Sequence, residues 1–318
     1  MLSTKLMLKA FLINMEFNHK SVLFDEAIKS LNIDENKIIL DGTAGGGGHS
    51  SEIAKNAKLL IAVDQDPDAI TVLNERLGSL DNVKIVQNNF ENIKDILNEL
   101  GIEKIDGVLL DLGVSSFQLD TAERGFSFHS DAELDMRMSK SGLSAKDVVN
   151  TYSKEMLIDI LYKYGEEKFA PRIAENIIEA RKEKEISTTF ELVEIIKKSY
   201  PQKAMRDAHP ARKTFQAIRI EVNDELGRLS KTLDDALDCL NSGGRISVIT
   251  FHSLEDRIVK ERFAKWENPC TCPKEFPVCV CGNKPLGKRP FKSKAPSEAE
   301  LKENPRARSS RIRCFEKY

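Results

Sequence analysis

The densest chemistry in the chain sits in Asp41-Gly42-Thr43-Ala44-Gly45-Gly46-Gly47-Gly48-His49-Ser50. Four consecutive glycines let a backbone approach a ligand without Cβ collisions and adopt positive φ, at an entropic cost that a merely structural loop rarely bears. The run therefore points to a bound cofactor. A phosphate-cradling P-loop is excluded, because that motif requires a Lys and none stands between Lys37 and Lys55. Asp64 follows Asp41 by 23 positions and ends an apolar run, the place from which a carboxylate reaches a ribose hydroxyl. A dinucleotide satisfies that geometry, as does any adenosine ligand. Asp41 suits a pyrophosphate at a helix N-terminus poorly, and suits a cationic or hydroxyl-bearing ligand such as S-adenosylmethionine. The alternative for Asp41 is that it caps the turn, and Asp66-Pro67 reads only as an N-cap followed by Pro at N1.

Two further segments offer chemistry. Gln87-Asn88-Asn89-Phe90 ends a strand, so Phe90 either stacks on a purine or joins the core. The run Asp106 to Asp120 (DGVLLDLGVSSFQLD) leaves an apolar strand through Asp111 and a polar turn, where an acceptor substrate would meet a cofactor. Ser253-Leu254-Glu255-Asp256 reads as a helix cap, since no G-x-S-x-G elbow supports a hydrolase.

The elements that must position these residues alternate. Strand-like Ile38 to Asp41, Leu59 to Asp64, Val83 to Val86 and Ile105 to Leu112 are separated by helix-like blocks, which predicts a parallel sheet whose strands are buried on both faces. Residues 121–222 break the pattern with helical spacing, as in Phe169, Ile173 and Ile177. A strand resumes at Arg245 to Phe251 after a helix from Asp224 to Leu240. We read an α/β domain, 18–120 with 223–318, carrying an inserted all-helical domain at 121–222, and a poorly ordered N-terminal extension at 1–17.

With 318 residues, 41% apolar, 31% charged and a net charge of −2, the chain is of ordinary globular composition, which excludes disordered, collagenous and membrane-spanning classes. The balance is uneven: residues 284–313 hold ten Lys/Arg and three Glu, a basic tail. Six cysteines, four of them between Cys270 and Cys281, do not form the disulfide framework of a small secreted domain and fit a reducing cytoplasm.

Together the motifs DGTAGGGGHS (41–50), VDQDP (63–67), AERGFSF (122–128), LDMRM (134–138), TFQAIRI (214–220), FHSLEDRIVK (251–260) and NPRARSSR (304–311) closely resemble one family. It is the bacterial 16S rRNA cytosine-N4 methyltransferase, small-subunit methyltransferase H, and the likeness runs from about Asn18 to Arg313. The resemblance implies a Rossmann-like class I methyltransferase that uses S-adenosylmethionine to methylate N4 of a cytidine in the decoding region of 16S rRNA within the small ribosomal subunit. No membrane and no obligate protein partner are expected. It maps cofactor contacts onto Gly47, Gly48, His49, Asp64, Phe90, Asp111 and Gln118. Thr43 replaces the first Gly of the general D-x-G-x-G-x-G pattern, a departure that the resemblance implies is the family's own.

For such chemistry, Asp111 or backbone carbonyls at Val114 to Ser116 would accept hydrogen bonds from the amine, and Asp111 equally fits a role confined to the cofactor. Arg212 and Arg219, seven apart on a helix, form either an RNA-binding face or a solvated basic one. Arg306, Arg308, Arg311 and Arg313 are stronger RNA candidates because few acids lie near them in sequence. Cys270, Cys272, Cys279 and Cys281 suffice for a tetrahedral zinc site, but with C-x-C spacing in place of the commoner C-x-x-C, so the metal content stays open.

Overall fold

The computed structural model describes residues 21–201, 209–273 and 275–318, and the expected N-terminal extension lies outside them. Helix α1 (Phe24–Leu31) leads into β1 (Ile38–Asp41), α2 (Gly48–Asn56), β2 (Leu59–Asp64) and α3 (Pro67–Leu77). Asp66 caps α3 by accepting the Asp68 N–H, with Pro at the first helical position, as the sequence predicts. Next come β3 (Val83–Gln87), α4 (Ile93–Glu99) and β4 (Ile105–Asp111). Among the described residues six α-helices follow: α5 (Ser116–Asp120), α6 (Ala145–Thr151), α7 (Lys154–Gly165), α8 (Ala170–Glu183), α9 (Thr189–Ser199) and α10 (Ala211–Asn223). The chain closes with α11 (Glu225–Cys239), β5 (Leu240–Thr250), α12 (Ser253–Glu267), β6 (Gly287–Lys288), α13 (Glu298–Glu303) and β7 (Arg311–Lys317).

The described chain forms two compact units. One comprises the residues up to Gly113 together with Leu226–Tyr318, and the other Val114–Glu225. The first is built on a sheet of order β3-β2-β1-β4-β5-β7-β6, in which β3, β2, β1, β4 and β5 are parallel and β7 runs antiparallel to both its neighbours. Side chains alternate across a strand. Leu40, Ile61, Val63, Val108 and Leu110 accordingly enter one apolar cluster, while Ile39, Leu60, Ala62 and Leu109 enter another. Both faces are covered, which is why these strands read as unbroken apolar runs.

β7 corrects the reading of the C-terminal segment as merely a basic tail. Ile312, Cys314 and Phe315 are fully buried, and Phe315 lies 5.1 Å from Trp266 and 5.5 Å from Phe263 between ring centroids. The flanking arginines hid a strand whose apolar side chains complete both faces of the sheet.

The Val114–Glu225 unit has its own core, which includes Leu134, Val148, Ile173, Ile177, Leu192, Phe215 and Ile218. Capping boxes start α6 at Ser144 with Asp147 and α9 at Thr188 with Glu191, so local sequence sets both helix starts. Among the described residues this unit holds no strand beyond one isolated bridge, Glu133 with Thr188. No described helix is long and apolar enough to cross a membrane.

Replacing Phe315 with Ala should cost about 3–5 kcal/mol of stability by opening a cavity against Phe263 and Trp266. Urea unfolding followed by the fluorescence of the single Trp would measure it, and a loss below 1 kcal/mol (roughly one buried methylene,) would mean that β7 does not anchor the sheet.

Candidate cofactor site

The parallel register brings three carboxylates to one end of the sheet. Asp41 ends β1, Asp64 ends β2 and Asp111 ends β4, with Asp41 opposite Ala62 and Leu109, Asp64 opposite Gln87, and Asp111 opposite Ile249. Ligands of open α/β sheets bind at this carboxyl edge.

The glycine-rich turn is stitched to both neighbouring strands. Gly42 N–H donates to Leu109 O at 2.9 Å and Ala44 N–H to Val63 O at 3.0 Å. Asp64 holds the turn through its side chain, accepting Gly45 N–H at 2.8 Å on one oxygen and Asp66 N–H at 2.8 Å on the other. Gly45 and Gly47 sit at φ 51° and 83°, where a side chain is disfavoured. Gly47 is the N-cap of α2 and Gly48 its first residue, so the turn ends where helical N–H groups are still free of intrahelical partners. Thr43, at the position where the general pattern has Gly, has a task of its own: the Asp111 N–H donates to its Oγ1 at 2.6 Å, tying the end of β4 to the turn. Nothing in the sequence signalled that tie, because its two ends are 68 residues apart.

Asp41 is 1% exposed and accepts the Ser50 hydroxyl at 2.6 Å and the Thr43 N–H at 3.3 Å. It therefore does brace the turn. Burial pushes its carboxyl and that of Asp64 up to about 6. Asp111 is driven well above the ordinary carboxylate range, first by burial and then by the negative charges of Asp41 and Glu255. Its Oδ2 lies 3.8 Å from His49 Nδ1, and its Oδ1 is buried with no hydrogen-bond partner. His49 is itself buried, stacks on Phe24 at 5.6 Å, and is lowered to about 4 by burial, so its imidazole is neutral. Its Nε2 is likewise buried and unpartnered.

Two buried polar atoms without partners, one at the carboxyl end of β4 and one in the first turn of α2, constitute unmet hydrogen-bonding capacity that a ligand would fill. Several carboxylates packed together with a neutral imidazole favour a ligand that brings positive charge. Phe90 is half-buried just after β3 and packs against the core, while Gly42 sits so close to it that an added Cβ would lie 3.0 Å from Phe90 Cβ. Asn89 donates to Gln65 Oε1 at 2.8 Å, and Arg228 of α11 reaches the same oxygen at 3.2 Å and Glu91 at 3.3 Å.

Sequence reasoning missed the Phe24 ring and the charge of Glu255. Glu255 is 2% exposed and accepts the Phe251 N–H at 2.8 Å. Its position three residues after the N-cap His252 was the available signal, since it forms the capping box of α12. The N-cap residue is His252, and Glu255 of the Ser253-to-Asp256 run completes the box, while Ser253 is already helical. Gln118 belongs to the other unit, where it completes a capping box with Ser115 at the start of α5.

The arginine candidates divide. Arg212 is exposed on α10, and Arg306 and Arg308 are exposed on the turn at Pro305–Ser309. Arg219 is only 17% exposed, with Nε and Nη2 bound to the two Glu225 oxygens at 2.8 and 3.0 Å. Arg313 is no candidate for phosphate contact: it is buried in β7 and fixed to both oxygens of Asp256, at 2.7 and 2.9 Å, and to Lys292 O. Its partner is 57 residues away, so the scarcity of acids nearby in sequence misled.

A carboxyl raised by folding holds its proton more tightly in the native state than in the unfolded chain. Native stability then falls as pH rises from about 4 through about 6. Asp41→Asn removes one such group, so the melting temperature of the variant minus that of the wild type should be most positive at pH 7 and shrink toward pH 5. Ligand-free thermal scans across that range test this; a pH-independent difference would show Asp41 ionising normally.

A family model described as the MraW methylase family matches residues 16–318. The ribosomal RNA small subunit methyltransferase H 2 of Agathobacter rectalis is 56% identical over 314 residues, covering 95% of this chain and 99% of that protein. The ribosomal RNA small subunit methyltransferase H of Clostridium botulinum strain Kyoto is 54% identical over 311 residues, and that of Ruminiclostridium cellulolyticum 54% over 315, each covering 95% of this chain and 100% of the relative. With its doubly wound sheet completed by an antiparallel seventh strand, the chain has the Rossmann-like class I architecture expected from its motifs, and it belongs to the MraW methylase family.

Proposed function

We propose that this protein methylates the exocyclic N4 of a cytidine in the decoding region of 16S rRNA, within the small ribosomal subunit in the cytoplasm and without an obligate protein partner. The observation that carries the reading is the carboxylate cluster at the ends of β1, β2 and β4, with its unpartnered Asp111 Oδ1 and His49 Nε2. S-adenosylmethionine supplies an electrophilic methyl group on a positively charged sulfonium. Gly47, Gly48, His49, Asp64, Phe90, Asp111 and Gln118 are the residues we assign to holding it, and the excess of carboxylates fits its positive charge.

An exocyclic amine is a weak nucleophile because its lone pair is delocalised into the ring. The protein's task is then alignment and hydrogen-bond acceptance in a site shielded from water. We assign Asp111 to accept from the N4 amino group as that nitrogen becomes tetrahedral. The proton lost from nitrogen can pass to its carboxylate, whose raised affinity for protons suits it to hold one. The target base must leave its stack to present N4, which favours a single-stranded or flipped-out cytidine. The Val114–Glu225 unit takes the role of recognising the RNA segment in this reading, with Arg212, Arg219, Arg306 and Arg308 as the assigned RNA contacts. Of these, Arg219 is the weakest, its guanidinium being held by Glu225.

Mass spectrometry of small-subunit rRNA from cells lacking this protein should show the loss of one N4-methylcytidine. The wild-type gene should restore the mark, and Asp111→Ala should restore little of it, its methyl transfer falling at least about a hundredfold. A mark that persists without the protein would sink the proposal. Replacing Arg306 and Arg308 with Ala should weaken binding to small-subunit RNA and reduce the slope of log affinity against log salt by up to about 2; an unchanged slope would remove both from the phosphate contacts.

A further inference from the structure

Residues 268–286 connect α12 to β6 without regular structure among the described residues. Structureless connections beyond about 12–15 residues are uncommon in compact domains. Apolar packing does not hold this one in place, because Phe276, Val278 and Val280 are 51, 69 and 71% exposed. Its ends are tethered, Leu286 N–H donating to Trp266 O at 2.9 Å and the Asn283 amide to Pro269 O at 3.1 Å. What draws its middle together is sulfur.

The Sγ atoms of Cys270, Cys272, Cys279 and Cys281 all lie within 4.8 Å of one another, and none is in a disulfide. Cys279 Sγ is 3.5, 3.8 and 3.4 Å from those of Cys270, Cys272 and Cys281, and Cys281 Sγ is 3.9 Å from that of Cys270. Four sulfurs at the zinc–sulfur distance of about 2.3 Å on a tetrahedron stand about 3.8 Å apart. Four of the six edges of a one-metal tetrahedron are thus already close to that length, and all six are within 4.8 Å. A polynuclear iron–sulfur cluster spreads its cysteines over separate irons and would need wider spacing.

We propose that these four cysteines bind one structural Zn²⁺. Each thiol gives its proton to solvent as its sulfur–zinc bond forms, with no change of oxidation state. Four protein ligands close the coordination sphere, so the ion serves folding and leaves no position for a substrate. The surroundings match: Val280 N–H donates to Cys272 Sγ at 3.2 Å, the kind of outer bond that orients a thiolate ligand. Gly282, directly after the last cysteine, has φ 69°, letting the chain turn away from the site where a side chain would resist. The C-x-C spacing departs from the commoner arrangement but does not prevent convergence, because Cys279 of the second pair lies against both cysteines of the first.

Full-length protein purified under reducing conditions from zinc-replete cells, without chelator, should contain about one zinc per chain by plasma mass spectrometry. Cobalt substitution should give the intense visible bands of a tetrahedral tetrathiolate. Cys279→Ser/Cys281→Ser should lose the zinc while keeping the circular dichroism of the wild type, and should be cut by protease within 268–286 at least about tenfold faster. Any of three results overturns the proposal: folded wild-type protein carrying no zinc, iron in its place, or undiminished zinc in the double variant.

Discussion

Ionised carboxylates repel one another and resist removal from water, yet the parallel register of β1, β2 and β4 sets Asp41, Asp64 and Asp111 at one edge of the sheet. Each is pushed above the usual carboxylate range by burial, and Glu255 adds its charge beside Asp111. The fold answers part of this cost locally. Asp41 accepts from Ser50 and Thr43, and Asp64 accepts from Gly45 and Asp66. Asp111 has one oxygen with no such partner. An edge so arranged is unfavourable by itself and is relieved when positive charge arrives, as the proposed sulfonium ligand would bring.

The glycine-rich turn serves the same constraint. Its glycines permit the left-handed conformations at Gly45 and Gly47, and bare backbone at Gly42 admits Leu110 and Phe90 at close range. Thr43 departs from the general glycine pattern, and the structure gives the departure a purpose, since its hydroxyl accepts the N–H of Asp111. The turn therefore carries two duties, leaving backbone open to a ligand and fixing the carboxylate strand beside it.

Positive charge is distributed by a different logic. Ion pairs drawn from distant segments hold some arginines rigid, Arg313 with Asp256 and Arg245 with Glu316 among them, and these support β5, β7 and α12. Others, such as Arg212 and Arg308, stand at the surface. Charge counting along the chain treats both kinds alike, so the basic character of the C-terminal segment overstated what it offers to RNA. A guanidinium held by two hydrogen bonds to a half-buried carboxylate is structural, because withdrawing it would leave the acid without its partner.

Much of the sheet was legible in sequence because a strand buried on both faces must be largely apolar, and Ile38 to Leu40, Leu59 to Val63 and Val108 to Leu110 are. The N-cap at Asp66 and the glycine turn are equally local, set by residues within one turn of each other. The strand β7 was not legible, since Arg311 and Arg313 interrupt its apolar pattern and only pairing with β5 buries Ile312 and Phe315. Nor were the Thr43 tie to Asp111, the neutral His49 stacked on Phe24, or the pairing that takes Arg313 out of play. Hydrogen bonds and desolvation act through space over a few ångströms, so a residue's type and neighbours in the chain set what it can do, while tertiary contacts alone decide which partner it meets and which charge state burial leaves it.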